Sequence, residues 1–252
     1  MRLRPTLLLL ALAACRDQPS PPRVTLTVAA AASLHEVVTE LDSLYRAEHP
    51  DVAVRATFGA SGALRQQIEH GAPIDVFISA SERHIDELGR AGLADVRSRR
   101  AFAGNELVLI VPQSVPTAVR GFGDLASPRV RRVALGAPES VPAGEYAEQA
   151  LRSLGLAAAV APKAVYAQNV RQVLAYVERG EVDAGLVYRT DALASDRVRV
   201  AASAPPGSHA RIVYPLVLVT HGAHPDDARA YAAFLLGPRG RQVLARHGFR
   251  VP

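Results

Sequence analysis

At 252 residues the chain is long enough for one large or two modest domains, and with 49% of its residues apolar it can bury a real core, which excludes a disordered protein. The formal charge of +5 is carried by arginine scattered along the chain, with Lys163 the one lysine, so P-loop nucleotide hydrolysis and Schiff-base chemistry have no other lysine to use. No basic run with interleaved aromatics supports nucleic-acid binding.

Arg2 and Arg4 form a positive leader, and residues 6–14 form an apolar stretch too short to span a bilayer as a mature helix. The stretch ends in Leu12-Ala13-Ala14-Cys15, which resembles the lipobox of bacterial lipoproteins. Residues 1–14 are therefore expected to be a signal peptide. Residues 15–23, with three prolines, are expected to be a tether lipidated at Cys15. A plain secretory cleavage near Ala13 or Ala14 is the alternative. Either route exports the protein, and Cys15 being the only cysteine leaves no internal disulfide.

The folded part begins at Val24. Residues 24–28 are β-branched and unpunctuated, a buried strand. A turn of small residues follows, with Ser33 placed as an N-cap ahead of a helix whose apolar stripe is Leu34, Val37, Val38, Leu41 and Leu44. Such a turn leaves free N–H groups and the positive end of a helix dipole open to an anion. Residues 52–58 repeat the design: a strand, then Gly59-Ala60-Ser61-Gly62, then a helix with Ser61 as its expected cap. Residues 74–79 form a third strand and 81–91 a helix. Three strand–helix units in succession predict a parallel sheet with its ligand edge at the carboxyl ends of the strands, where both serines fall.

Gly104-Asn105 introduces a strand over 107–112, and a second α/β unit follows. Residues 133–136 are a strand, and 137–144 are a long turn ending in Pro142-Ala143-Gly144 at the start of an amphipathic helix. Residues 165–167 are a short strand, and Asn169 is placed to cap a helix with Val170, Val173, Leu174 and Val177 on its apolar face. Residues 184–188 form a strand ending in Tyr188, whose phenol needs either a packing partner or an acceptor. A loop at 205–208, an apolar strand over 212–219 and two C-terminal helices complete the chain. His221 and His224 lack a third ligand at metal spacing.

These motifs together resemble the periplasmic molybdate-binding proteins of ABC importers, a branch of the two-lobed type II solute-binding proteins. The resemblance is carried by Ala30-Ala31-Ala32-Ser33-Leu34, Phe58-Gly59-Ala60-Ser61-Gly62, the segment 71–80, and Gly104-Asn105. It continues through Val141-Pro142-Ala143-Gly144-Glu145-Tyr146-Ala147, Asn169-Val170-Arg171 and Val187-Tyr188-Arg189-Thr190-Asp191-Ala192, in the family's order. It implies an α/β, two-lobed fold, each lobe a mainly parallel sheet flanked by helices, with the ligand in the interlobe cleft. The lobes are expected at 24–104 and 213–252 (lobe I) and at 105–212 (lobe II).

Carried over position by position, the resemblance places oxyanion ligands on Ser33 and Ser61 in lobe I. In lobe II it places them on the backbone N–H groups of Ala143 and Val170 and on the Tyr188 hydroxyl. Molybdate or tungstate would then be held by hydrogen bonds, without direct coordination of the metal and without a cofactor. The implied partners are an ABC permease and its ATPase, with the protein a monomer in the periplasm or at the outer face of the envelope. Two positions depart from the family's usual pattern: Ala137 in Gly136-Ala137-Pro138, and Arg189-Thr190 after the tyrosine. Every carried-over group donates, which suits a fully deprotonated oxyanion and disfavours protonated phosphate. The rival readings are a receptor for another oxyanion such as sulfate, and an exported hydrolase using Ser33 or Ser61. The second needs a histidine and a carboxylate that the sequence does not assign, so no enzyme is expected.

Overall fold

A computed structural model describes residues 22–114 and 119–252. The leader, Cys15 and most of the expected tether lie outside the described residues. The chain runs β1 (Val24–Ala31), a 3₁₀ turn at Ala32–Leu34, α1 (His35–Glu48), β2 (Val52–Gly59), α2 (Ser61–Glu69), β3 (Val76–Ile78), α3 (Glu82–Arg90) and β4 (Ala94–Gly104). It continues through β5 (Leu107–Pro112), β6 (Val133–Gly136), α4 (Pro142–Ser153), α5 (Ala157–Val160), β7 (Ala164–Ala167), α6 (Val170–Glu178), β8 (Ala184–Tyr188), α7 (Arg189–Leu193) and β9 (Val198–Ser203). Last come β10 (Val213–Val219), α8 (Pro225–Leu236) and α9 (Pro238–Arg246).

The described strands form two five-stranded sheets, ordered β2-β1-β3-β10-β4 and β7-β6-β8-β5-β9. Each lobe is one sheet with its helices, and the chain crosses between them after β4 and again after β9. In lobe I, β1 pairs in parallel with β2 (Ala31 opposite Gly59) and with β3 (Ala30 opposite Ile78). That register brings the carboxyl ends of β1 and β2 side by side, and with them Ser33 and Ser61. In lobe II, β6 pairs in parallel with β7 and β8, so the loops leading to α4, α6 and α7 share one edge. The other pairings, of β10 with β3 and β4 and of β5 with β8 and β9, are antiparallel. Both sheets are thus mixed, parallel on the side that carries the serines and the helix starts.

Two strands were not expected from the sequence, β4 and β9. Both are edge strands. Their partly exposed faces carry Arg97, Arg99, Arg100 and Arg199, which erase the apolar run that marks a buried strand.

One apolar cluster runs through both lobes, from Leu26, Val28 and Leu41 to Leu109, Val173 and Leu186; a second, around Phe77, Ile85 and Val217, fills the other face of the first sheet. Lys163 is used structurally, its ammonium donating to the carbonyls of Leu125 and Ser127 at 2.9 Å. No helix among the described residues is long and apolar enough to cross a membrane.

Candidate functional site

The five residues singled out in the sequence line one cleft between the lobes. Ser33 and Ser61, with Ala31, Ala32, Gly59, Ala60 and Ala80, form its lobe I wall, and Val141, Pro142, Ala143, Val170 and Tyr188 form its lobe II wall. The cavity measures about 10 Å³. That is far below the roughly 300–1,000 Å³ of sites for drug-sized ligands, so the closed cleft admits only something very small.

Neither serine is the helix cap that its position suggested. Ser33 lies inside the 3₁₀ turn, the cap position of α1 falls on Leu34, and no side chain caps that helix. The Ser33 hydroxyl is instead 2.9 Å from the Tyr214 hydroxyl. Ser61 is the first residue of α2, with Ala60 at the cap position. Its Oγ accepts from the Ala80 N–H at 2.9 Å, which ties the start of α2 to the end of β3. A remote partner won over the local cap in both cases. Neither hydroxyl has a histidine partner, so the serine-hydrolase geometry is not met.

On the opposite wall Ala143 and Val170 stand at the second and first positions of α4 and α6, where no carbonyl four residues back is helical and the N–H is left over. Asn169 caps α6 as expected, its side chain accepting from the Gln172 N–H at 3.0 Å. Gly144 is required by packing: a Cβ there would stand 2.1 Å from the Gly136 carbonyl oxygen, so only glycine lets α4 start against the end of β6.

Tyr188 is 1% exposed, and its hydroxyl has no hydrogen-bond partner among the described residues. Leaving a buried hydroxyl unpaired costs about 1–3 kcal/mol, so it needs an explanation. Burial, with the neighbouring Tyr214, pushes its phenol pKa well up, so the group is a protonated donor at any physiological pH. The ring is held edge-on between Tyr146 and Tyr214. Its backbone N–H donates to Asp191, a carboxyl fully buried and pushed up to about 6 by desolvation, against the lowering effect of Arg171. Arg189 turns away from the cleft, its guanidinium donating to Glu106 and Ser203 at 2.7 Å.

Direct contacts hold the lobes together around the cleft. The Gly62 N–H donates to the Ser140 carbonyl at 2.9 Å, and the Tyr146 hydroxyl to the Ala80 carbonyl at 3.4 Å. Arg83 of lobe I meets Glu145 of lobe II at 3.3 Å, and Arg171 of lobe II pairs with Glu36 of lobe I. Arg171 also lies 2.9 Å from Asp191, without the alignment of a hydrogen bond. A Cβ on Gly62 would stand 2.7 Å from the Ser140 backbone, so this closure depends on glycine.

Comparison with known proteins agrees with this architecture. The family model described as "Bacterial extracellular solute-binding protein" matches residues 26–250. The chain is 40% identical over 230 residues to a Bacillus subtilis protein named as the ABC transporter substrate-binding lipoprotein YvgL, covering 91% of this chain and 88% of that one. It is 36% identical over 232 residues to the molybdate-binding protein ModA of Escherichia coli, covering 90% and 89%. The structure of the periplasmic molybdate-binding protein of Azotobacter vinelandii superposes with a TM-score of 0.80 at 27% identity, over 90% of this chain and 99% of that one. These relatives are binding proteins and not enzymes, and the chain belongs to the bacterial extracellular solute-binding protein family.

Proposed function

We propose that this protein captures a tetrahedral dianion, molybdate or tungstate, in the interlobe cleft and delivers it to an ABC importer. The observation that carries the reading is the Tyr188 hydroxyl, buried, protonated and unpaired at a cleft also lined by Ser33, Ser61 and the first turns of α4 and α6. Five donors converge there: the hydroxyls of Ser33, Ser61 and Tyr188 and the N–H groups of Ala143 and Val170. Charge-assisted bonds to an anion contribute roughly 1.5–3 kcal/mol each, and helix N-termini add up to ~2 kcal/mol when partly buried. These gains are opposed by dehydration of the anion and by ordering of the lobes. The similarity to proteins named as molybdate-binding supports the choice of anion.

The cleft is walled by both lobes, so an anion enters when they part and is enclosed when they re-close around it. The closed form, latched through Gly62, Arg83 and Arg171, is then the form that a permease would read. An anion that keeps a proton, such as hydrogen phosphate, meets only donors and is rejected. The protein acts outside the cytoplasm, tethered through lipid on Cys15, and works as a monomer.

Calorimetric titration of the mature domain with molybdate, tungstate, sulfate and phosphate tests the reading. The expected result is tight 1:1 binding of molybdate and tungstate and much weaker binding of the other two. Preferred binding of sulfate would move the assignment to that smaller oxyanion, and no oxyanion binding at all would overturn it.

A further inference from the structure

A serine hydroxyl can donate or accept, so a wall made of serines donates only if something fixes where each proton points. For Ser61 the solution is local, since the Ala80 N–H occupies a lone pair and leaves the hydroxyl hydrogen for the cleft. Ser33 has only the Tyr214 hydroxyl, and a hydroxyl pair can run in either direction. The direction is decided one step further back. Asn105 Oδ1 accepts from the Glu106 N–H at 2.9 Å, which fixes the side-chain amide with its hydrogens on Nδ2. Those hydrogens go to Thr190 Oγ1 at 2.9 Å and to Tyr214 Oη at 3.3 Å. Tyr214 therefore accepts from Asn105 and has its single hydrogen left to give to Ser33.

We propose that Tyr214 and Asn105 are positioning residues for the oxyanion site: together they orient the Ser33 hydroxyl so that it donates into the cleft. This deepens the function proposed above and rests on it. All members of the chain are buried or nearly so with the lobes closed. Asn105 stands in the crossover between β4 and β5, Thr190 belongs to lobe II, and Tyr214 and Ser33 belong to lobe I. The proton direction at the lobe I wall is thus set through the segment that joins the lobes.

The test is a double-mutant cycle read by calorimetry, with molybdate and, in competition, inorganic phosphate at pH 7. Tyr214→Phe in the wild-type background is expected to weaken molybdate about five- to tenfold, the loss of one oriented donor. It should also lower the molybdate-to-phosphate ratio by about tenfold, because the Ser33 oxygen becomes free to accept. In a Ser33→Ala background the same change should cost less than about twofold. Equal losses in both backgrounds, or an unchanged ratio, would overturn the relay and leave Tyr214 a packing residue.

Asn105→Asp supplies a second cycle if thermal melting finds Tyr214→Phe unfolded. A carboxylate there draws the tyrosine proton to itself, so Ser33 turns its own hydrogen to Tyr214 and away from the anion. Its loss of molybdate affinity should exceed that of Tyr214→Phe and shrink when Ser33 is absent. An equal loss with and without Ser33 again contradicts the relay. If the wild type binds no molybdate, the oxyanion reading fails and the relay with it. If the wild type binds, and Ser33→Ala weakens binding without coupling to either partner, the relay alone fails.

Discussion

The cleft presents two serines on its lobe I side and two helix first turns with a tyrosine on its lobe II side. Backbone N–H groups can only donate, and the buried Tyr188 hydroxyl, without a partner among the described residues, has its hydrogen free for an acceptor in the cleft. The two backbone donors of the lobe II wall are fixed by covalent chemistry alone. Serine hydroxyls have no such inherent direction, and the lobe I wall depends on the Ala80 amide and the Tyr214–Asn105 chain. One wall is robust to its surroundings and the other is tuned by them. Substitutions around lobe I should therefore alter selectivity, whereas substitutions at lobe II should alter affinity.

The largest expected break is Tyr188→Phe, which removes a preorganised donor from lobe II. Molybdate affinity should fall about ten- to a hundredfold, with the molybdate-to-phosphate ratio changed less than by Tyr214→Phe. Calorimetry on both anions gives the two numbers. An affinity within twofold of wild type would remove Tyr188 from the site.

Gly62→Ala leaves every donor in place and attacks closure, because the added methyl meets the Ser140 backbone at 2.7 Å. Affinity for molybdate should fall about tenfold, from roughly 1–3 kcal/mol of overpacking felt only in the closed form. The melting temperature of the ligand-free protein should move much less. A large loss of ligand-free stability would place the clash in the folded lobes themselves.

Arg83→Gln removes one interlobe ion pair, half-exposed at 39% and 25% for its two side chains. Exposed pairs contribute about 0.2–1 kcal/mol, so a two- to fourfold loss of affinity is expected, fading at 1 M salt. Salt titration of both proteins checks it. A loss that persists at high salt would point to the Glu139 carbonyl contact of Arg83 instead.

A further effect concerns stability rather than affinity and lies in the support of Tyr188. Asp191 is pushed up to about 6 by burial, above its ordinary 3.8. The folded state therefore holds its proton more tightly than the unfolded chain, and the group's contribution to stability falls as pH rises from about 4 to about 6. Asp191→Asn keeps an acceptor for the Tyr188 N–H without the ionisation. Its melting temperature relative to wild type should rise over that interval, and a constant difference would contradict the sign.

The two regions also differed in how legible they were. Strands β5, β8 and β10 stand out as apolar runs because both of their faces are covered. Edge strands β4 and β9 were invisible because arginines face the solvent on them. At the site, Asn169 reads as a cap and is one, since its acceptor use is local. Ser33 and Ser61 read as caps and are not, since their partners lie 181 and 19 residues away and only the fold brings them near. Tyr214 carried no signal at all, and Asn105 entered only as part of the Gly104-Asn105 motif, with no role attached to its side chain. A tyrosine within an apolar strand and an asparagine after a glycine are ordinary, and their importance arises from a contact 109 residues apart.

The central claim is that the cleft is lined by donors alone, and parallel calorimetric titrations of one preparation with molybdate and with phosphate at pH 7 address it most directly. Saturable 1:1 binding of molybdate, with phosphate at least about a thousandfold weaker (about 4 kcal/mol), is the result the account predicts. Phosphate binding within about tenfold of molybdate would mean that some group in the cleft accepts a proton, and would contradict it.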